Sequence, residues 1–600
     1  MDSKYRPHST KLETRADGTM VFRSAYVRSP VVAKTSDWLH HWARMTPNAT
    51  FIADRSGDGW REESFLSALQ IVQALGEAML ARGMGQNTPI LIISGNSVDH
   101  GLLTLAAQYV GVPTVPVAEQ YALIPGAHRH LRHVISVTDP GMIFAEDGDR
   151  VAEALALNEM HGREIVISRG QIEGATMLAD MLKGANGVDL AAANAAVGPD
   201  TVAKYLMTSG STSAPKAVIT TQRMMCTNQA QLLDTLPFLK ARPPVIVDWL
   251  PWNHVFGGSH NFNLMLANGG SLYIDDGKPT PDLFPRTLEN LRMKTGTLAF
   301  NVPVGYAKLL EAMRADKALA ESYFAGLDML FYAGAALPQD VWKGIEDLAK
   351  EVTGHVPLMN SSWGLTETAP AALIQHEPTH MSGIVGVPLT GLDVKLVPVE
   401  DARVEVRVKG DSIMPGYLNE PEKTAEAFDE DGFFRTGDVM AFVDPADPDK
   451  GLRFVGRLTE EFKLTSGTWV RAATLRLDVL GELGGIAADL VITGANRSEI
   501  GVMIFPNPAT LKARGITVEP GQEVIIDPAL AEDIRAALAP RLKAGSSARI
   551  SRALVLAEPA SLPEGEITAK GNLNSNKILS RRAHLEQRLY DDSDPATILI

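Results

Sequence analysis

The chain nearly lacks cysteine. Cys226 stands alone among 600 residues, so no disulfide can close within the chain and a disulfide-stapled fold is excluded. A reducing, cytoplasmic setting is expected. Positive charge is also short, with 56 Lys and Arg against 71 Asp and Glu and a net charge of −15. That balance argues against a general nucleic-acid binder, which needs a basic face to neutralise phosphates. Any anionic ligand must be met by a few local cations. Long apolar runs are missing too. Met1 to Ser24 has no apolar core of the kind an export signal requires. The greasiest stretch, Gly101 to Ala118, is interrupted by Gln108, Pro113 and Pro116. It reads as a buried helix leading into a buried strand, so no membrane partner is expected.

What the chain does have is length, with 45% apolar residues, which is enough for several cores and at least two domains. From Ser36 onward helical periodicity alternates with short apolar runs. Leu66 to Arg82 and His100 to Tyr109 read as helices and Pro89 to Ser94 as a strand. Runs at Val134 to Phe144, Glu164 to Ser168, Val245 to Trp249, Ser271 to Ile274 and Leu327 to Tyr332 continue the α/β rhythm, which predicts parallel sheets covered by helices. After Gly386 the texture turns to alternating β segments such as Asp393 to Val399 and Val404 to Val408. The tail mixes a helix, Glu532 to Leu542, with a strand, Ser551 to Ala557.

One segment carries phosphate chemistry on its face. Tyr205 to Val218 reads YLMTSGSTSAPKAV. Backbone N–H groups around Gly210 and the hydroxyls of Thr208, Ser209, Ser211 and Thr212 can turn toward phosphate oxygens, while Lys216 adds a charge-assisted contact. The Gly-Lys-Ser/Thr ending of a Walker A loop is missing. The plain alternative is a Ser/Thr-rich surface turn. A histidine group at His128, His130 and His133, with His376 and His380, raises a metal reading. It lacks a partnered carboxylate at a known spacing, and HRHLRH reads instead as a solvated helix face.

The phosphate segment resembles the signature of the adenylate-forming, AMP-binding superfamily of acyl-CoA synthetases, luciferases and peptide-synthetase adenylation domains, usually TSGTTGxPKG. Ser213 and Ala217 stand where that family usually has glycine. Further strings resemble the family in the same order along the chain. Asn360 to Pro370, NSSWGLTETAP, is similar to its YGxTE segment. This implies a purine stacked on Trp363 beside Gly364, an α-phosphate contact from Thr366, and Mg2+ on Glu367. Arg435 to Asp438, RTGD, implies a ribose contact from Asp438, followed by a nucleotide contact from Arg457 and a hinge over Leu458 to Glu461. Tyr332 to Pro338, YAGAALP, implies adenine and acyl pockets lined by Gly334 and Ala335. Pro251 to Gly258, PWNHVFGG, implies that His254 borders the carboxylate. Leu562 to Leu579, LPEGEITAKGNLNSNKIL, holds the implied adenylation lysine, Lys570, with Lys577 second.

The resemblance implies an α/β fold. A large N-terminal domain, residues 1–457, has parallel and mixed sheets flanked by helices and a β-rich subdomain at about 386–457. A small mobile α+β C-terminal domain follows over residues 458–600. It implies an acid-thiol ligase using ATP, Mg2+ and coenzyme A, with Lys570, His254, Thr366 and Glu367 catalytic and Lys463 among the cofactor-binding residues. The strings VITTQRMM (Val218 to Met225), LPWNHVFGGSHN (Leu250 to Asn261) and FKLTSGTWV (Phe462 to Val470) resemble the feruloyl-CoA synthetase branch. The implied substrate is a hydroxycinnamate such as ferulate, p-coumarate or caffeate, with the acyl pocket around His254, Asn301 to Gly305 and Gly334. Other aryl or fatty acids, and a nucleotide-binding protein without adenylation, are the alternatives. Expected partners are the acid, ATP and coenzyme A, with a homodimer left open.

Overall fold

The computed structural model describes residues 4–183, 187–208, 215–335, 337–400, 402–568 and 571–600. Its contacts divide into two compact units. The first takes the chain up to Thr208, then Pro215–Thr436 and Ala441–Phe454. The second takes Gly437–Met440 and Val455–Ile600.

The first unit is built on three sheets. One runs, in spatial order, Lys216–Thr221, Val202–Thr208, Thr114–Pro116, Ile90–Ile92, Met142–Asp147, Glu164–Arg169 and Thr176–Met177. It is parallel except for the pairing of its first two strands. Strands covered on both faces have no use for polar alternation, and Ile90–Ile92 and Thr114–Pro116 are buried throughout. The greasy stretch supplies a helix, Val98–Val110, buried along nearly its whole length. Ser97 caps it by accepting from the His100 N–H, and Gly111, at φ 77°, ends it in the left-handed region that favours glycine.

A second sheet orders Val245–Asp248, Ser271–Ile274, Thr50–Ser56 and Gly59–Ser64. In the largest sheet, Leu298–Asn301, Met329–Tyr332 and Leu358–Gly364 form a parallel trio. From Ala371–Gln375 the pairing turns antiparallel and continues into the β segments beyond residue 384. The second unit has its own sheet, Ala487–Thr493, Ile500–Pro506, Ile550–Val555 and Ile598–Leu599. Its core includes Val479, Leu490, Val502 and Ile534.

Two readings of the sequence are corrected. The apolar run Val134 to Phe144 is not one element. It holds the end of a helix, His128–Thr138, a left-handed Asp139 at φ 39°, and the start of the strand Met142–Asp147. Thr138-Asp139-Pro140-Gly141 interrupts the apolar residues, and the residue before a proline is biased away from helix, so the break falls where the turn residues stand. The same helix is solvated on only one face of HRHLRH: Arg129 and Arg132 are exposed, but His128 is buried and bonds the Ala122 carbonyl at 3.0 Å, and Leu131 is fully covered.

The turn that leads into the strand Phe434–Phe442 is held by charge. Asp429 accepts from the N–H groups of Asp431 and Phe433 and pairs with Lys395 at 3.1 Å and Arg407 at 3.2 Å. Burial pushes the Asp429 pKa up, but the Phe433 N–H, Lys395 and Arg407 more than offset this and hold it below its ordinary value. A carboxylate depressed on folding stabilises the fold above its unfolded pKa and loses that contribution as pH falls through the lower folded one. Lys395→Met is therefore expected to destabilise the first unit by about 3 kcal/mol at pH 7, and by less at an acid pH below the ordinary range of a free carboxylate. Denaturant unfolding of both proteins at the two pH values checks this, and an equal loss at both would refute the charge account.

Candidate functional site

The phosphate segment lies between antiparallel strands. Val202–Thr208 and Lys216–Thr221 pair with Thr208 opposite Lys216, so the two ends of the loop are fixed side by side. Ser209, Gly210, Ser211, Thr212 and Ser213 lie outside the described residues. On the outer side of Lys216–Thr221, a third segment docks through its backbone. The Leu418 N–H donates to the Ala217 carbonyl at 2.9 Å, and the Ile219 N–H donates to the Gly416 carbonyl at 3.1 Å. This brings the Tyr417 ring to 4.0 Å from Lys216 Nζ, a cation-π contact. Burial lowers the Lys216 pKa, and the nearby Glu367 charge works against that shift.

Tyr417 also faces Glu367, with its hydroxyl donating to Glu367 Oε1 at 3.1 Å. Burial, then the Glu367 charge, raises the phenol pKa far above its ordinary value, so Tyr417 stays a donor. The Met414 N–H donates to the Glu367 carbonyl at 2.9 Å. One aromatic side chain thus joins the lysine and the acid predicted from separate motifs. Tyr417 itself was missed by the sequence reading. Its one signal is a Pro-Gly-Tyr step at 415–417 between β segments, which carries no chemistry until the fold places it.

Trp363 and Gly364 close the strand Leu358–Gly364, and Thr366 and Glu367 open the short turn after it. Trp363 pairs with Leu373 across the sheet. Gly364 is required, because a Cβ there would sit 1.8 Å from the Pro370 carbonyl oxygen. The turn is tied by the Leu365 N–H donating to Thr368 Oγ1 at 2.8 Å. On the neighbouring strand, Gly334 at φ 89° and Ala335 follow Tyr332 and are exposed, leaving space for close backbone approach. The third parallel strand ends at Asn301, whose Oδ1 accepts from Trp249 Nε1 at 3.2 Å. Ligands of α/β proteins gather at such carboxyl ends of parallel strands.

His254 sits in a compact turn after Val245–Asp248. Its N–H donates to the Pro251 carbonyl at 3.1 Å, and the Phe256 N–H donates to its Nδ1 at 3.3 Å, so a neutral ring carries its proton on Nε2. Gly257 and Gly258 allow the turn, since a Cβ would meet the carbonyl oxygens of Leu250 at 2.3 Å and Trp252 at 2.2 Å. Lys204, buried in the strand beside it and with its pKa pulled down by desolvation to about 8, donates to the Gly258 carbonyl and braces the turn from below.

In the second unit Arg457 Nε lies 3.1 Å from Asp438 Oδ1, and Asp438 is buried. Lys463 Nζ sits 4.6 Å from the Trp469 ring within the hairpin Glu461–Lys463 and Trp469–Arg471. Lys570 lies outside the described residues. Lys577 is exposed near the start of the helix Ser575–Arg581. Among the described residues no group of three or more His, Cys, Asp or Glu is placed to hold a metal ion. His133 bonds the Pro215 carbonyl, His130 stacks on Tyr121, His376 packs on His8, and His380 pairs with Glu346.

Lys216 and Glu367 are thus joined through Tyr417, with Glu367 just beyond the carboxyl end of a strand in the parallel trio. The AMP-binding enzyme family profile matches residues 39–418. This chain belongs to the AMP-binding enzyme family. It is 27% identical over 418 residues to luciferin 4-monooxygenase of Luciola mingrelica, covering 67% of this chain and 72% of that protein. It is 30% identical over 284 residues to a long-chain-fatty-acid–CoA ligase of Salmonella typhimurium, covering 45% and 47%. A probable 4-coumarate–CoA ligase of Dictyostelium discoideum is 26% identical over 340 residues, covering 55% and 57%. The matches thus span about half the length of the two ligases.

In fold the chain is similar to the adenylation domain of a carboxylate reductase from Mycobacterium chelonae, at a TM-score of 0.71 and 18% identity over 94% of this chain and 92% of that one. It is also similar to the O-succinylbenzoate coenzyme A synthetase of Bacillus subtilis in complex with AMP, at 0.66 and 16% over 90% and 97%. The fold is that of adenylate-forming enzymes.

Among the described residues no helix is long and apolar enough to cross a membrane. Gly364→Ala is expected to destabilise the first unit by about 2–3 kcal/mol, because the added methyl has only backbone to push against. Thermal unfolding checks this, and an unchanged melt would rule out the close approach at Pro370.

Proposed function

We propose that this chain activates an aromatic carboxylic acid, a hydroxycinnamate such as ferulate, by ATP-dependent adenylation and transfers the acyl group to coenzyme A. The observation that carries this reading is the Lys216–Tyr417–Glu367 arrangement beside the phosphate segment. A carboxylate is a poor electrophile, since its charge is delocalised and oxide would have to leave. Attack of the acid on the α-phosphate of ATP expels pyrophosphate and leaves a mixed anhydride whose leaving group is AMP. The thiol of coenzyme A then displaces AMP to give the thioester.

The protein's part is to hold charge in place. The ammonium of Lys216, partly desolvated against Tyr417, is a preorganised donor for phosphate oxygens. Thr366 supports the α-phosphate and His254 borders the carboxylate. Asp438 and Arg457 meet ribose and phosphate, with Trp363, Gly364, Gly334 and Ala335 around the base and acyl group and Thr208, Ser209, Gly210, Ser211 and Thr212 around the outer phosphates. Lys463 belongs to the same cofactor-binding set. Lys570 is the cation for the adenylation step.

Mg2+ fits Glu367. One carboxylate oxygen is engaged by Tyr417 and the other is left for a cation that takes one or two carboxylates plus phosphate oxygens. When bound, Mg2+ would neutralise charge on the phosphates and on the departing pyrophosphate. A cytoplasmic setting suits these substrates and the lone, buried Cys226.

A fatty acid is the second reading, favoured by the 30% identity to a fatty-acid ligase. The test is a panel of acids with ATP, Mg2+ and coenzyme A, following AMP release and thioester absorbance. Ferulate or p-coumarate is expected to give both products, with palmitate far slower. Lys570→Ala is expected to slow acid-dependent AMP formation by roughly 100-fold or more, while thioester formation from a preformed acyl-adenylate persists. ATP binding without AMP release for every acid would sink the reading in favour of a nucleotide-binding protein that does not adenylate.

A further inference from the structure

The strand that leads into the phosphate segment carries a cation that the reaction above does not use. Lys204 stands on Val202–Thr208, in register with Thr114 on one side and Thr220 on the other. It is 3% exposed, and its pKa, though pulled down by desolvation to about 8, leaves the ammonium charged at pH 7. A buried ammonium is costly unless it is bonded. The bond it makes is to a backbone carbonyl, that of Gly258, in the turn that carries His254. A cavity of about 10 Å³ lies beside it, lined by His100, Thr104 and Trp252 among others, with room for no more than a single water. The side chain has no second place to go.

Gly258 passes the contact on to His254. Its own N–H donates to the His254 carbonyl at 2.9 Å, and the His254 N–H donates to the Pro251 carbonyl at 3.1 Å. The two ends of the turn are tied by other side chains. Asp248 accepts from the Leu250 N–H at 3.2 Å and from Asn261 Nδ2 at 2.8 Å. Asn96 donates to the Leu250 carbonyl at 2.9 Å and accepts from the Trp252 N–H at 3.0 Å. Those bonds fix where the turn begins and ends, whereas Lys204 holds its middle.

The sheets make this contact consequential. Val202–Thr208 belongs to one sheet and Val245–Asp248, which leads into the turn, belongs to another. Ladder bonds fix register within a sheet and do nothing between two sheets. The height of the His254 turn relative to the strand that opens the phosphate segment is therefore set by packing and by bonds such as that from Lys204.

We propose that Lys204 is a positioning residue for acid activation, holding the His254 turn at the height where a carboxylate beside His254 meets a phosphate held by the loop after Thr208. The inference rests on the acid-activation reading above and adds to it a residue that touches neither substrate. An error of about 1 Å in such an alignment is enough to slow a reaction greatly, because attack on phosphorus demands close and in-line approach.

The experiment measures acid-dependent AMP formation by the full chain, with ferulate or whichever acid of the panel above releases AMP fastest, varying acid and ATP separately. Lys204→Met keeps the length and removes the donor. It is expected to lower kcat/KM for the acid by on the order of tenfold or more and to raise the KM for the acid, with the KM for ATP unchanged. Loss of folded protein alone would lower the apparent kcat and leave both KM values where they were. Lys204→Gln, which keeps an N–H donor on a shorter stem, is expected to recover part of the loss. In a His254→Ala background Lys204→Met is expected to cost little more, because it acts through that residue.

If the KM for the acid is unchanged in Lys204→Met, or if the Lys204 and His254 effects simply add, the inference is overturned while acid activation stands. If wild type releases AMP with no acid, acid activation fails and the inference falls with it. If Lys204→Met does not fold, Lys204→Gln decides alone, and a wild-type KM for the acid in that variant overturns the proposal.

Discussion

The candidate site depends on one stretch of backbone. Residues 414–418 have no regular structure of their own, yet their peptide groups bond the strand after the phosphate loop at Ala217 and Ile219 and the turn after the strand Leu358–Gly364 at Glu367. Those two places are some 150 residues apart in the chain. Backbone bonds between them fix relative height and distance in a way that side-chain packing alone does not, because each bond demands a donor–acceptor separation near 3 Å. Tyr417, in the middle of the stretch, converts that alignment into electrostatics. Its ring face meets a cation and its hydroxyl meets an anion, so Lys216 and Glu367 influence each other without forming a direct ion pair that a ligand would have to break.

Close approach is the second constraint, and it serves the same end. Gly364 brings the chain against Pro370, while Gly257 and Gly258 bring the His254 turn against the carbonyls of Leu250 and Trp252. In each case a Cβ would lie within van der Waals contact of backbone, so no rotamer change could relieve it. The result is that the candidate side chains hang on tight turns at the ends of rigid strands. Lys204 shows the cost of such a turn. A lysine is buried and partly deprived of its charge so that the Gly258 carbonyl has a donor.

Much of this was legible in the sequence, for identifiable reasons. Thr208, Lys216, Thr366 and Glu367 lie in short motifs whose composition, hydroxyls and a lysine in one and a carboxylate in the other, marks them as candidates, and the fold brings Lys216 and Glu367 to one tyrosine. The α/β rhythm was legible because buried parallel strands leave plain apolar runs, as at Ile90–Ile92 and Met329–Tyr332. Tyr417 was not legible, since its role comes from a long-range backbone pairing that leaves no periodic trace. The end of the helix His128–Thr138 was legible in Thr-Asp-Pro-Gly at 138–141 and was passed over by weighing only the apolar residues on either side, and His128 was misread because a histidine does not announce which of its faces is covered.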